Sequence, residues 1–200
     1  MKKKDLDNIA ETLLFDSYNI NDVGLFQGKM GIALFFYHYS RFCQNDLYKK
    51  YADKLLDDIL CELNVGTGIS FYYGLSGIAW GICHLYINNF ITCDVGNVLE
   101  DINLEIVKVD VERMNDSSLS TGFKGILFYI NTHLLATEGK PPVFDEKYMN
   151  TIKSVSPEKY WVNENRKCWI FFLSDLKSST MPWQKGLHYL LKQSMDISLC

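Results

Sequence analysis

A chain of 200 residues that is 48% hydrophobic and 22% charged has the make-up of a soluble protein with one sizeable core, which sets aside disordered and fibrous classes. Its formal net charge of -4, with no basic run beyond Lys2-Lys3-Lys4, provides no footprint for a phosphate backbone and argues against nucleic acid as a partner. The longest apolar stretches, residues 31–37 and 168–173, fall far short of the roughly 20 residues that cross a bilayer, and Asp5 and Asp7 interrupt any export signal. No transmembrane segment and a cytoplasmic location are expected.

In chain order, residues 6–17 place Leu6, Ile9, Ala10, Leu13 and Leu14 at helical spacing and predict an amphipathic helix. Gly28-Lys29-Met30-Gly31 follows and opens a run, Ile32 to Phe42 in sequence, that has almost no polar face and must be covered on most sides. Residues 46–63 return to a half-exposed pattern, with Tyr48, Ala52, Leu55, Leu56, Ile59 and Leu63 opposite lysines and aspartates. A second Gly74-Leu75-Ser76-Gly77 opens a buried helix over residues 78–86. Residues 94–114 are read as amphipathic helix through Val95, Val98, Leu99, Ile102, Ile106 and Val109, although residues 106–111 alternate in the manner of a strand. The third copy, Gly122-Phe123-Lys124-Gly125, opens a buried helix over residues 123–135. Beyond it the rhythm breaks. A turn or loop is expected at residues 138–142, a short helix at 145–153, a break at Pro157 and an apolar segment at 161–176, together forming an irregular outer hairpin. A degenerate fourth copy is Trp183-Gln184-Lys185-Gly186.

The three regular copies recur with a period of about 47 residues, a length suited to two helices and their connections. Buried and amphipathic helices alternate, so the economical packing is two helical layers, the buried ones inside. Glycine is a poor helix former, so Gly28, Gly31, Gly74, Gly77, Gly122 and Gly125 are expected to serve close backbone approach or unusual φ values at the helix entry.

At these motifs the chain resembles the lanthionine synthetase C-like family, whose members are α/α toroids of seven helical hairpins, many with a G-x-x-G element opening each inner helix. The resemblance is carried by residues 24–36, 73–82 and 121–126 and covers about residues 20–136. It implies an all-α fold, a partial α/α toroid of about three to four hairpins, in a single domain over residues 1–200 with a degenerate part at 137–200. Full members hold one zinc through two cysteines and a histidine from late repeats; the zinc deprotonates a peptide cysteine, whose thiolate adds to a dehydrated serine or threonine. Here the residues before each first glycine are Phe26-Gln27, Tyr72-Tyr73 and Ser120-Thr121, and Met181-Pro182 stands before Trp183. None is a metal ligand, so no cofactor and no catalytic residue are expected in this chain, and the metal-binding half is read as lacking.

Cys83-His84 is the nearest thing to the family's Cys-His pair, yet Leu85 follows and the pair lies inside a helix, where neighbours diverge by about 100°. The favoured reading is a core cysteine beside a buried or snorkelling histidine. Cys43, Cys61, Cys93, Cys168 and Cys200 show no C-x-x-C spacing and are expected to act as small hydrophobes. His38, His133 and His188 fall within predicted helices with no frame for nucleophilic catalysis. A glycoside hydrolase on the same scaffold would need two facing carboxylates. Asp22 and Asp116 stand nearest the helix entrances, but are read as unrelated capping or turn residues, at different places in their repeats.

Three functions are thereby in competition: a non-catalytic peptide- or partner-binding protein in the modification of ribosomally made peptides, an enzyme on the same scaffold (a cyclase whose partner supplies zinc, or a hydrolase), and a truncated chain. An incomplete toroid exposes the apolar inner helices of its terminal repeats. A peptide, a partner protein covering the open edge, or a second copy of the chain is therefore expected.

Overall fold

A computed structural model describes residues 1–63, 66–138, 144–155 and 161–198, with the side chains of 161–164 and 195–198 left aside. Among the described residues every regular element is helical: α1 (Lys3–Asp16), α2 (Lys29–Cys43), α3 (Asp46–Glu62), α4 (Leu75–Ile87), α5 (Val95–Val98), α6 (Glu100–Val107), α7 (Phe123–Ala136), α8 (Glu146–Val155), α9 (Trp161–Ser178) and α10 (Pro182–Ser198). Short 3-10 turns stand at Ser17–Asn19 and Val111–Arg113. The fold is all-α, as the alternation of helix types predicts. The loop expected at residues 138–142 and the break at Pro157 lie, apart from Glu138, outside the described residues.

The chain divides into two compact units, Met1–Asn64 with Phe172–Cys200, and Val65–Phe171. In the first, α2 is the buried helix: every residue from Met30 to Ser40 is buried. α1 and α3 each turn one apolar stripe inward, Leu6, Ala10 and Leu13 from one and Ala52, Leu55 and Ile59 from the other. Asn45 starts α3 by accepting the Leu47 N–H at 3.0 Å, satisfying one of the donors a helix N-terminus leaves free. The two tyrosines of α2 are buried, and each hydroxyl has a carboxylate partner on an outer helix. Tyr39 Oη donates to Asp7 at 2.6 Å and Tyr37 Oη to Asp53 at 2.7 Å, while Lys49 Nζ holds Asp53 at 3.0 Å. These bonds pin the outer helices to the inner one at a fixed rotation.

α10 opens at the degenerate fourth copy of the glycine motif and packs on α2. Its Trp183 lies on Gly31 and its Gly186 on Phe35, and Tyr189 meets Phe42 edge-on at 6.4 Å, so α10 runs parallel to α2, start beside start.

In the second unit α4 and α7 are likewise parallel neighbours: Phe71, ahead of α4, packs on Gly125 at the start of α7, and Trp80 meets Phe128 at 5.5 Å. Trp169 of α9 completes the aromatic core against Trp80 and Phe128. Residues 94–114 form neither the strand that their alternation suggests nor one continuous helix. Asp94 caps α5 through the Asn97 N–H at 3.2 Å, α6 ends at Val107, and the β-branched Val109 and Val111 lead into a 3-10 turn that packs with α8. β-branched residues have only weak helix preference, and no other strand is present among the described residues to pair with them.

Candidate functional site

The loops that lead into α2, α4 and α7 share one construction. Six residues before each first glycine, a backbone carbonyl accepts the first N–H of the helix: Asp22 from Lys29 at 2.8 Å, Gly68 from Leu75 at 2.8 Å, Asp116 from Phe123 at 2.9 Å. A loop carbonyl thus stands in for a side-chain cap, and none of the three helices has one. Three residues before each first glycine an apolar side chain, Leu25, Phe71 or Leu119, is buried under the loop.

That construction accounts for the glycines. Gly28, Gly74 and Gly122 have φ of -113°, -140° and -105°, open to any residue, so unusual dihedrals are not the reason for them. Space is. A Cβ on Gly28 would stand 2.5 Å from the Asp22 carbonyl oxygen, and Cβ atoms on Gly74 and Gly122 would collide with the carbonyls of Gly68 and Asp116. The second glycines Gly31 and Gly125 face the carbonyls of Leu25 and Leu119 in the same way.

Asp22 and Asp116 prove to be equivalent, contrary to the expectation from sequence. Each sits six residues ahead of its glycine, and each carboxylate accepts the N–H two residues on, Gly24 at 2.6 Å and Ser118 at 2.7 Å. They are turn-forming aspartates, as the capping reading held. Asp116 also accepts the Thr121 hydroxyl at 2.6 Å, and these bonds hold its carboxyl below the usual carboxylate range. Both carboxylates are turned back into their own loops.

The second repeat has glycine at this position, and a Cβ on Gly68 would meet nothing within 4 Å. Gly68→Asp should therefore install the missing turn and remove backbone freedom from the unfolded chain, raising stability by about 0.5–1 kcal/mol. Urea unfolding of the variant against the parent measures it; a loss of stability would show that the loops are not equivalent.

The two residues directly before each first glycine are where the resemblance places metal ligands. Tyr72 is buried and Tyr73 is 45% exposed. Ser120 and Thr121 belong to a hydroxyl cluster in which Ser118 Oγ lies 3.3 Å from Ser120 Oγ and 3.2 Å from Thr121 Oγ1. Phe26 lends its carbonyl to Gln184 Nε2. Aromatic rings and hydroxyls occupied with one another supply none of the thiolate or imidazole donors that zinc takes, so these loops do not fit the ion. Among the described residues no group of three His, Cys, Asp or Glu side chains is placed to hold a metal.

Cys83 and His84 are adjacent on α4 and enter different surroundings. Cys83 is fully buried, and burial pushes its thiol well above the usual range, away from the thiolate a metal needs. His84 is half-buried and stacks on Trp80 at 5.1 Å and on Trp169 at 5.9 Å, with Asn88 Nδ2 3.4 Å from its Nδ1. His38 is buried within α2, and His188 of α10 is half-buried with its pKa lowered by desolvation and by Lys192 and Lys177.

A polar group that sequence reading passed over lies inside the second unit. Tyr129 Oη donates to Asn103 Oδ1 at 2.5 Å, Asn103 Nδ2 lies 3.2 Å from His133 Nε2, and all three residues are buried. Its signal was available: Asn103 stands four residues after Leu99 and three before Ile106, on the apolar face of its helix.

A comparison with curated proteins gives no match, whereas the family model described as lanthionine synthetase C-like protein matches residues 19–170, well over half of the chain. The three loop-and-helix units lie within that span, and the chain belongs to the lanthionine synthetase C-like family.

Proposed function

We propose that this chain is a binding or accessory member of its family, holding a peptide or partner protein during modification of ribosomally made peptides and forming no thioether itself. The observation that supports this reading is the donor set in the three entry loops, where Phe26-Gln27, Tyr72-Tyr73 and Ser120-Thr121 stand at the positions the family's zinc ligands occupy in late repeats. A bound metal raises the thiolate fraction of a peptide cysteine at neutral pH and so speeds its addition, and these loops carry no thiolate or imidazole donors to hold one. Exposed Tyr73 supplies instead an aromatic face suited to an extended peptide. In this reading the two units work as one domain in the cytoplasm, and the partner is a peptide or another protein.

Zinc content per chain, measured on monodisperse protein grown with zinc and stripped of loosely bound metal, tests the reading. Far less than one zinc per chain and no thioether product with a dehydrated, cysteine-containing peptide are expected. Stoichiometric zinc or ring formation would overturn it and bring Cys83 and His84 forward.

A further inference from the structure

Two contacts join the neighbouring loops of the second unit. Phe71 packs its Cβ against Gly125, 2.5 Å from where a Cβ on that glycine would stand. The next residue, Tyr72, donates its backbone N–H to the carbonyl of Ser120 at 3.0 Å. An aromatic ring on the second glycine of the following repeat, then an N–H donor to the carbonyl two residues before its first glycine, is the signature of one repeat leading into the next.

The first unit carries the same signature from an unexpected source. Trp183 lies on Gly31, its Cη2 at 2.7 Å from where a Cβ would stand, and Gly31 is the second glycine of the first repeat. The next residue, Gln184, donates its side-chain Nε2 to the carbonyl of Phe26, which stands two residues before Gly28. Ser179 Oγ donates in turn to Gln184 Oε1, so both ends of this buried carboxamide are bonded. Trp183-Gln184 thus does for the first repeat what Phe71-Tyr72 does for the third, with a side-chain amide in place of a backbone one. Two further features agree. α10 runs parallel to α2 as α4 does to α7, and Gly186 lets Phe35, Ile9 and Leu6 approach it within 3.4 Å of where its Cβ would stand.

We propose that α10 is a clasp: the chain's own C-terminal helix fills, in cis, the face on which the first repeat would receive a preceding repeat. The occupant of that face is then a named segment of this chain, and that face is not open to a partner. This holds whether or not a peptide is bound at the entry loops.

Hydrogen exchange on the full chain, with light scattering, tests the clasp. The parent should have the mass of one chain with α2 protected. Gln184→Glu keeps the shape but sets a carboxylate against the Phe26 carbonyl, and should speed exchange of the α2 amides about tenfold while leaving those of α4 and α7 unchanged. Trp183→Ala should do the same and, by baring α2, cause self-association. The exposed Lys185→Gln serves as control. If α2 exchanges alike in Gln184→Glu and Lys185→Gln, the clasp is wrong, and so it is if the parent is a dimer whose dissociation deprotects α2. Should Trp183→Ala fail to fold, the isosteric Gln184→Glu decides.

Discussion

Gly125→Ala is expected to destabilise the second unit by about 3 kcal/mol, at the upper end of what overpacking by a single methyl usually costs. The added Cβ would collide with the Leu119 carbonyl oxygen and stand 2.5 Å from Phe71 Cβ. Neither neighbour is the free end of a flexible side chain. To make room the loop would have to shift outward, straining the bond from the Phe123 N–H to the Asp116 carbonyl and lifting Leu119 from its buried site. Phe71 would have to move as well, and it is held against Trp80 at 5.6 Å and Phe128 at 5.3 Å. Alanine's better helix propensity returns only about 1 kcal/mol at a helix interior and less at the first turn. Gly96→Ala is the matched control: the nearest atom to its added Cβ is 3.4 Å away, and a change within about 0.5 kcal/mol is expected. Denaturant midpoints for both variants measure the contrast, and equal effects would mean that the loop carbonyl does not set the glycine requirement.

The same collision explains why so much of the fold is legible in the sequence. A repeat that must bring a carbonyl against a helix start needs glycine there each time, and glycine at a fixed spacing is visible without any structure. The starts of α2, α4 and α7 follow from it, and the stripes of α1 and α3 follow from periodicity. What stayed hidden is equivalence carried by different chemistry. Asp22 and Asp116 share one offset from their glycines, but Gly68 holds that place in the second repeat and interrupts the pattern. Trp183-Gln184 matches Phe71-Tyr72 in what it touches, but not in residue type or in which N–H donates, so the contribution of α10 to the first repeat cannot be read from composition. Residues 94–114 misled for another reason: Asp94 and the β-branched valines break into short turns a stretch whose apolar spacing fits one long helix.

Asn103→Leu should be the most damaging single substitution on the polar side of the core, costing about 3–4 kcal/mol, because it strands two buried groups at once. Tyr129 Oη would lose its acceptor and His133 Nε2 its donor. The direction of the chain also fixes the imidazole. Since Asn103 Oδ1 takes the tyrosine proton, its Nδ2 faces His133 and donates; Nε2 must then be the bare nitrogen, and the proton resides on Nδ1. That Nδ1 is buried with no hydrogen-bond partner among the described residues. Burial therefore holds His133 neutral and pushes its pKa down to about 4 from the ordinary 6.5. Because the folded value lies below the unfolded one, the unfolded chain takes up the proton first. The contribution of His133 to stability is complete above about pH 6.5 and is lost as the pH falls toward 4, with a slope below about 1.4 kcal/mol per pH unit. Replacing the whole network, as Asn103→Leu with His133→Phe and Tyr129→Phe, removes every orphaned group and should recover most of what Asn103→Leu alone loses. It should also flatten the stability difference between pH 6.5 and 4 relative to the parent. Urea unfolding across that range for the parent, the single and the triple variant separates the effects. A triple variant as unstable as the single one would mean that shape in this part of the core matters more than hydrogen bonding, and an unchanged pH slope would place the titrating group elsewhere.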